Sequence, residues 1–370
     1  MNTFFKNQFT EEPVMVWVLA PYLITNDPNI DYYYDFSQSI SEYTKAFTIL
    51  GLPWKWQAVT LNNYQAIIDS IITEKTNQHY TPIILNLCDG DEVNGTPGIS
   101  VLKYLEEKDL IYTGADEYFY DITTSKVSMK KAFDEYGVSH AKWISIQQKN
   151  QELNGSLRKL GFPIIVKPAV SGGSMGVGIK NVVTNNNELN EQVNKLFEGY
   201  RGWKLTVDGI VAEEFIVGPE FTTLIVGSYD RPEEAVIYPP VERVFHPSLP
   251  DNEKFLSFDR LWEIYEDETP MPKNENFYEY TTPNTSLHET IKKISWDAYC
   301  AVKGQGYSRV DLRMNAHTGN IYVLEVNAQC GLSEDENYTS IGAILRLSNT
   351  TFAQLIAEIL QNAYARKVNA

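Results

Sequence analysis

The sequence predicts a mixed protein in three parts: a parallel-sheet α/β module, a small α+β module, and a larger antiparallel region. Three observations carry this. Up to about residue 120, short apolar or β-branched runs alternate with runs of helical period, the texture of repeated β-α-β units. From residue 121 the alternation breaks, and a glycine-rich stretch, GGSMG at 172–176, has strand-like runs on both sides. Beyond residue 206, paired extended runs joined by turns take over, which is antiparallel texture. The expected divisions are therefore 1–120, 121–205 and 206–370.

In chain order, VMVWVLAPY reads as a first strand, DFSQSISEYTKAFTILG as a helix ending at Gly51, and PWKWQAVTL as a second strand. NYQAIIDSIITEK is helical, TPIILNLCDG a strand, TPGISVLKYLEEKD a helix opened by Thr-Pro, and LIYTGAD a strand and turn. Parallel sheets of this kind place their sites at the carboxyl ends of the strands. The second part reads as the helix SKVSMKKAFDEYG, the strand AKWISI, the helical SLRKLG, the strand FPIIVKPAV, the glycine loop, the strand IKNVV, and a helix in the second half of TNNNELNEQVNKLFEG. DGIVAEEFIVGPEFTTLIVGSYD gives two strands around Gly218-Pro219. The Pro-rich, acidic stretch 244–285 reads as a long functional loop or cover. SLHETIKKISWDAYCAVKG and NTTFAQLIAEILQNAYARK are the closing helices.

Size and composition narrow the function. The chain has 370 residues, enough for two or three cores, and a net charge of −17. That charge argues against a broad nucleic-acid or anionic-membrane footprint; an anionic ligand would need a few placed lysines and arginines. Three scattered cysteines, Cys88, Cys300 and Cys330, form neither a disulfide framework nor a zinc spacing. No apolar stretch reaches the ~20 residues that span a bilayer. The first apolar run follows Glu11 and Glu12 rather than a basic region, unlike a signal peptide. A cytoplasmic setting is the expectation. The five histidines show no ligand spacing.

The stretch RVDLRMNAHTGNIYVLEVNAQCG, Arg309 to Gly331, reads as two strands joined by a Thr-Gly turn. Alternation puts Glu325 and Asn327 on one face, where Asp311 of the partner strand can join them. Such a set is either a solvated polar surface or a cradle for a hard cation such as Mg²⁺. The glycine loop is equally open. Centred on Ser174, it satisfies G-x-S-x-G, but the strand-like run after it fails the strand-turn-helix test of a hydrolase nucleophile elbow. Walker A fails because no Gly-Lys-Ser/Thr follows. What remains is a surface hairpin, or a flap over phosphates with Lys167 at the same end.

Taken in order, TTSKVSMKKAF, GFPIIVKPAVSGGSMGVG, VAEEFIVGPEFT, YSRVDLRM and LEVNAQCG resemble the ATP-grasp superfamily, within it the D-alanine–D-alanine ligase group. The resemblance implies an ATP-grasp fold and an ATP-dependent carboxylate–amine ligase working through an acyl phosphate. It implies ATP and two Mg²⁺ (or Mn²⁺) ions, with small-molecule carboxylate and amine substrates as partners. Lys126 and Lys167 would contact the α- and β-phosphates, under a flap from Ser171 to Gly178 with Gly173 and Ser174 at its tip; Gly173 is a cofactor-binding candidate and Ser174 a catalytic one. Glu213 would accept from the adenine amino group, Glu214 and Ile216 would line that pocket, and Glu220 would take the ribose hydroxyls. Asp311, Glu325 and Asn327 would hold the metal. Arg309 and the Gly331 N–H would stabilise the developing oxyanion. Relatives of this kind are commonly homodimers, so a homodimer is the expectation, with no nucleic acid and no membrane as partners.

Several positions depart from the group. Cys330 stands where its motif has proline, Ser171 where its flap has a glutamate, and NIDYYYDFS replaces its glutamate-bearing N-terminal loop. The acids of SEDE, Glu334 to Glu336, would repel a substrate carboxylate, pointing to an acceptor other than a plain D-amino acid; at an exposed helix start they would instead favour the dipole. A Cys330 thiolate has no neighbouring base in sequence to activate it. Two rival readings are an ATP-dependent small-molecule kinase on the same fold and a non-catalytic nucleotide-binding module.

Overall fold

The computed structural model describes residues 13–23, 35–152, 160–265, 268–335 and 337–368. The chain begins β1 (Val14–Pro21), α1 (Ser37–Leu50), β2 (Trp54–Val59), α2 (Tyr64–Gln78), β3 (Thr81–Asn86), α3 (Ile99–Glu107) and β4 (Ile111–Tyr112). The four strands are parallel in the order β2-β1-β3-β4, as the alternation requires. Gly51 ends α1 in the left-handed conformation, its N–H on the carbonyl of Thr48, the geometry that suits glycine.

Next come α4 (Glu117–Thr124), α5 (Lys126–Tyr136), β5 (Trp143–Ile146), β6 (Ile164–Pro168), β7 (Val182–Val183), α6 (Asn186–Glu198) and β8 (Ile210–Glu214). The sheet order is β5-β8-β6-β7, with antiparallel neighbours. Because β8 lies in this sheet, the change of sheet falls between Glu214 and Glu220, later than the composition near residue 206 suggests. Only Val182–Val183 of IKNVV is extended. The preceding Ile179–Asn181 forms a 3-10 turn, because the Asn181 amide donates to Val166 O (2.6 Å) and Gly176 O (3.0 Å). α6 starts earlier than its apolar period indicates, because Asn185 caps the N–H groups of Asn187 and Glu188. Most of the helix expected at SLRKLG lies outside the described residues.

β9 (Glu220–Ser228), β10 (Arg231–Ile237), β11 (Val241–Phe245), α7 (Phe258–Trp262), β12 (Tyr278–Thr281), α8 (His288–Ala301), β13 (Gln305–Met314), β14 (Ile321–Ala328), α9 (Ser340–Ser348) and α10 (Phe352–Val368) complete the chain. The strands form an antiparallel sheet ordered β12-β11-β9-β13-β14, with β10 also on β9. One core joins the first sheet to this one: Val16, Phe47 and Leu85 share it with Leu224, Tyr307, Ile356 and Leu360. Arg366 on α10 pins the two together, donating to Gly114 O and Tyr112 O, both at 2.7 Å. None of the described helices is long and apolar enough to cross a membrane.

Candidate active site

The cationic wall of the site starts at α5. Ser125 caps the helix, its hydroxyl accepting from the Val127 N–H, while the Lys126 N–H donates to Ala169 O at 2.8 Å. The second bond docks the helix start against the end of β6, which carries Lys167. Glu213, on the neighbouring strand β8, accepts from Lys167 Nζ at 2.8 Å. Its other oxygen lies 2.5 Å from Lys130 Nζ, one helical turn after Lys126. Lys130 and Glu213 are 1% and 2% exposed. Burial pushes the Glu213 carboxyl up, but Lys130 and Lys167 outweigh it and hold it at about 2. Burial lowers Lys167 as well, yet the Glu213 carboxylate more than offsets this and raises it. Lys126 is instead lowered, burial prevailing over the attraction of Glu325. Its ammonium donates to Ser171 O at 3.0 Å and stands 3.7 Å from Glu325 Oε2, between flap and carboxylate strand.

The opposite wall is β13 paired with β14, in the register Arg309↔Asn327 and Asp311↔Glu325. Arg309, Asp311 and Arg313 alternate onto one face. Asp311 accepts from Arg309 Nε (3.0 Å) and Nη2 (2.9 Å), from Asn327 Nδ2 (3.1 Å) and from Thr222 Oγ1 (2.8 Å). Burial raises its carboxyl, and the Arg309 guanidinium outweighs that and lowers it. Among the described residues no group of three His, Cys, Asp or Glu side chains is placed to hold a metal. The oxygen donors here are two carboxylates, Asp311 and Glu325, and the Asn327 amide. That set fits Mg²⁺, which takes one or two carboxylates and completes its shell with phosphate oxygens and water.

At the hinge, Gly218 has φ +146°, and an added Cβ there would sit 2.1 Å from Met314 O, so the turn between β8 and β9 needs glycine. Beyond it, the buried Glu220 carboxylate lies between two arginines. Arg243 pairs with one oxygen and Arg313 Nη2 donates to the other at 2.6 Å. Arg313 Nη1 also donates to Ile216 O at 3.2 Å. Ile216 is buried, and Glu214, next to Glu213 on the strand, projects to the opposite face.

The stretch 244–285 is folded over the glycine loop. Ser174 Oγ donates to Leu256 O (2.8 Å), Phe258 N to Val177 O (2.8 Å), Trp262 Nε1 to Gly173 O (2.8 Å), and Ile179 N to Glu268 Oε1 (3.0 Å). A 3-10 turn rather than a helix follows the loop, so the elbow reading fails in structure as in sequence. Gly173 combines φ +55° with a Trp262 ring 3.0 Å from where a Cβ would be.

After β14 the chain turns at Gln329, whose amide donates to Asn86 O (3.2 Å) and Cys88 O (3.0 Å). This ties the carboxyl end of β3 to the Gly331 segment. Gly331 itself is exposed, with open space where a Cβ would be. Cys330 is buried, and that burial pushes its thiol up to about 12. The acids beside it already have partners: Glu334 pairs with Lys45 at 3.0 Å, and Asp335 caps the turn at Asn337 and Tyr338. Glu336 and most of the NIDYYYDFS loop lie outside the described residues. Asp335 thus closes a turn ahead of α9, which Thr339 caps, rather than standing at the helix start itself.

Sequence reading missed Lys130, Arg243 and Arg313. Lys126/Lys130 spacing and the alternation Arg309-x-Asp311-x-Arg313 were signals for two of them; nothing local marks Arg243, which meets Glu220 only through strand pairing.

Comparison with known proteins gives a consistent picture. Residues 132–361 match the family described as D-ala D-ala ligase C-terminus. A D-alanine–D-alanine ligase of Geobacillus thermodenitrificans is 26% identical over 279 residues, covering 74% of this chain and 68% of that protein. A D-alanine–D-alanine ligase A of Bacillus cereus is 26% identical over 255 residues, covering 69% and 73%. The fold is shared with the D-alanine–D-alanine ligase of Bacillus anthracis complexed with ATP (TM-score 0.65, 19% identity, 97% of this chain and 99% of that one). It is also shared with the VanG D-Ala:D-Ser ligase of Enterococcus faecalis (TM-score 0.63, 14% identity, 96% and 100%).

Proposed function

The chain belongs to the D-ala D-ala ligase C-terminus family and is an ATP-dependent ligase that forms a C–N bond; we propose that the cleft described above is where it does so. The carrying observation is a local reversal of charge. In a protein of net charge −17, four neighbouring ion-pair groups together hold six cations, Lys126, Lys130, Lys167, Arg243, Arg309 and Arg313, against four carboxylates, Glu213, Glu220, Asp311 and Glu325. A triphosphate suits that excess, and fixed cations that need no reorganisation are how phosphoryl transfer is accelerated.

In this reading Lys126 and Lys167 take the α- and β-phosphates, and Lys130 and Glu213 fix Lys167 in place. Glu213 keeps lone pairs for the adenine amino group while Glu214 and Ile216 line the base, and Glu220 retains one free lone pair on each oxygen for the ribose. Asp311, Glu325 and Asn327 would hold Mg²⁺, which when bound neutralises phosphate charge. A substrate carboxylate takes the γ-phosphoryl group, leaving ADP. An amine then attacks the acyl carbon and phosphate departs, the oxyanion being met by Arg309 and the Gly331 N–H. The cover with Ser174 and Gly173 excludes water that would hydrolyse the acyl phosphate.

The amine is the finer point. Two proteins with this fold carry names with different acceptors, D-Ala and D-Ser, which supports an acceptor that varies within the fold. Cys330 in place of the family's proline supports an acceptor other than D-Ala. The acidic run gives that idea less support than its sequence does, since Glu334 and Asp335 are already engaged. The test is ADP release with a panel of amines, D-Ala, D-Ser and diamines included, with the product identified by mass. An amide with free phosphate supports the ligase. A phosphorylated product would favour a kinase, and nucleotide binding without turnover would favour a non-catalytic module.

A further inference from the structure

Arg313 touches four things at once. Its Nη2 donates to Glu220 Oε2 (2.6 Å) and to Lys254 O, its Nη1 to Ile216 O (3.2 Å), and its guanidinium lies 5.3 Å from the Phe215 ring centre. Glu220 and Ile216 belong to the proposed nucleotide pocket. Lys254 belongs to the cover, two residues before the Leu256 carbonyl that receives Ser174 Oγ and four before the Phe258 N–H that reaches Val177 O. A path therefore runs from the sugar end of the pocket, through one guanidinium and the backbone from Lys254 to Phe258, to the glycine loop.

The energetics single Arg313 out. It is 4% exposed, and among the described residues its Nε is buried without a partner, a position that is unfavourable for stability alone. Glu220 already has a counter-ion in Arg243. Removing Arg313 would leave a balanced carboxylate–guanidinium pair rather than a buried lone charge, so the fold does not require it. A planar fork reaching acceptors on three segments serves geometry instead.

We propose that Arg313 is a positioning residue that locks the cover over the glycine loop to the nucleotide's sugar pocket, so that the cover tightens when ATP is bound. This rests on the reading of the cleft as an ATP site. The test uses the full chain as wild type, Arg313→Met and Arg313→Lys, with the nonhydrolysable analogue AMP-PNP and Mg²⁺. Binding is followed with a fluorescent ATP analogue, and trypsin cleavage after Lys254 and Arg260 reports opening of the cover. In the wild type, saturating AMP-PNP should slow that cleavage about tenfold, since cleavage tracks the open population. With the fluorescent analogue used to set an AMP-PNP concentration that saturates each variant, Arg313→Met should melt like the wild type without nucleotide, yet gain less than about twofold protection at saturation. Arg313→Lys should not restore it, because a single ammonium cannot span the three acceptors. Full protection in Arg313→Met would overturn the proposal, as would a fall in melting temperature that accounts for faster cleavage with and without nucleotide. A wild type that binds no nucleotide would instead overturn the ATP-site reading beneath it.

Discussion

Arg309 and Asp311, two residues apart on β13, grip each other through three hydrogen bonds of 2.9, 3.0 and 3.2 Å. A guanidinium thereby neutralises a carboxylate that the proposed chemistry assigns to a metal ion. With Mg²⁺ on Asp311, Arg309 would be free to meet the phosphate, and without it the pair keeps a buried acid neutralised. Asp311→Asn keeps the shape and removes the charge. It should lower ADP release by about a hundredfold or more, the scale of losing one preorganised electrostatic group, and raise the Mg²⁺ concentration giving half-maximal rate. Steady-state rates across a Mg²⁺ titration check this, and a variant with wild-type magnesium dependence would count against Asp311 as a ligand.

Glu213 between Lys130 and Lys167 links the site to stability. Replacing it with Gln strands two buried ammonium groups, a loss of about 3–5 kcal/mol by the usual cost of breaking a buried ion pair, measured by urea unfolding. The sign with pH follows from its folded value, about 2 against an ordinary 4.5. A carboxyl lowered on folding stabilises above 4.5, and that contribution is lost as pH falls from 4.5 towards 2. The wild type should weaken across that window more steeply than Glu213→Gln.

Cys330 stays a thiol at neutral pH because burial pushes it to about 12. Cys330→Ala should keep ADP release within about threefold, given that a buried neutral thiol is a poor nucleophile. Iodoacetamide at pH 8 should not inactivate the folded protein. Rapid inactivation traced to Cys330 would reopen covalent catalysis.

Gly173→Ala places a Cβ at φ +55°, 3.0 Å from Trp262. The left-handed conformation costs about 1–2 kcal/mol for an L-residue, and the ring must also move. The Trp262–Gly173 bond should loosen, seen as a red shift in tryptophan emission and a higher ratio of ATP hydrolysis to amide formation. Unchanged emission and coupling would mean that the cover does not depend on this contact.

Much of this was legible in advance, for physical reasons. Strand alternation put Glu325 and Asn327 on one face, where Asp311 of the partner strand could join them; the register Asp311↔Glu325 comes from the fold. The parallel sheet followed from β-α-β repetition. What stayed hidden depended on partners distant in sequence. Arg243 meets Glu220 through the β9–β11 register, Gln329 finds Asn86 and Cys88 across modules, and Glu334 finds Lys45. Helix α4, capped by Asp116, was missed because it spans barely two turns and a short aromatic run reads equally well as a strand. Helix α9 and strands β10 to β12 were passed over in stretches that turns and prolines made look irregular. Stretch 244–285 gave away its length but not its docking, since backbone carbonyls such as Leu256 O and Gly173 O leave no trace in residue type.

A crystal structure with AMP-PNP and Mg²⁺ tests the central claim most directly. The account predicts the triphosphate between Lys126 and Lys167 on one side and β13–β14 on the other, with metal on Asp311, Glu325 and Asn327. Triphosphate density lying elsewhere, with those three side chains still turned to Arg309, Lys126 or solvent, would contradict it.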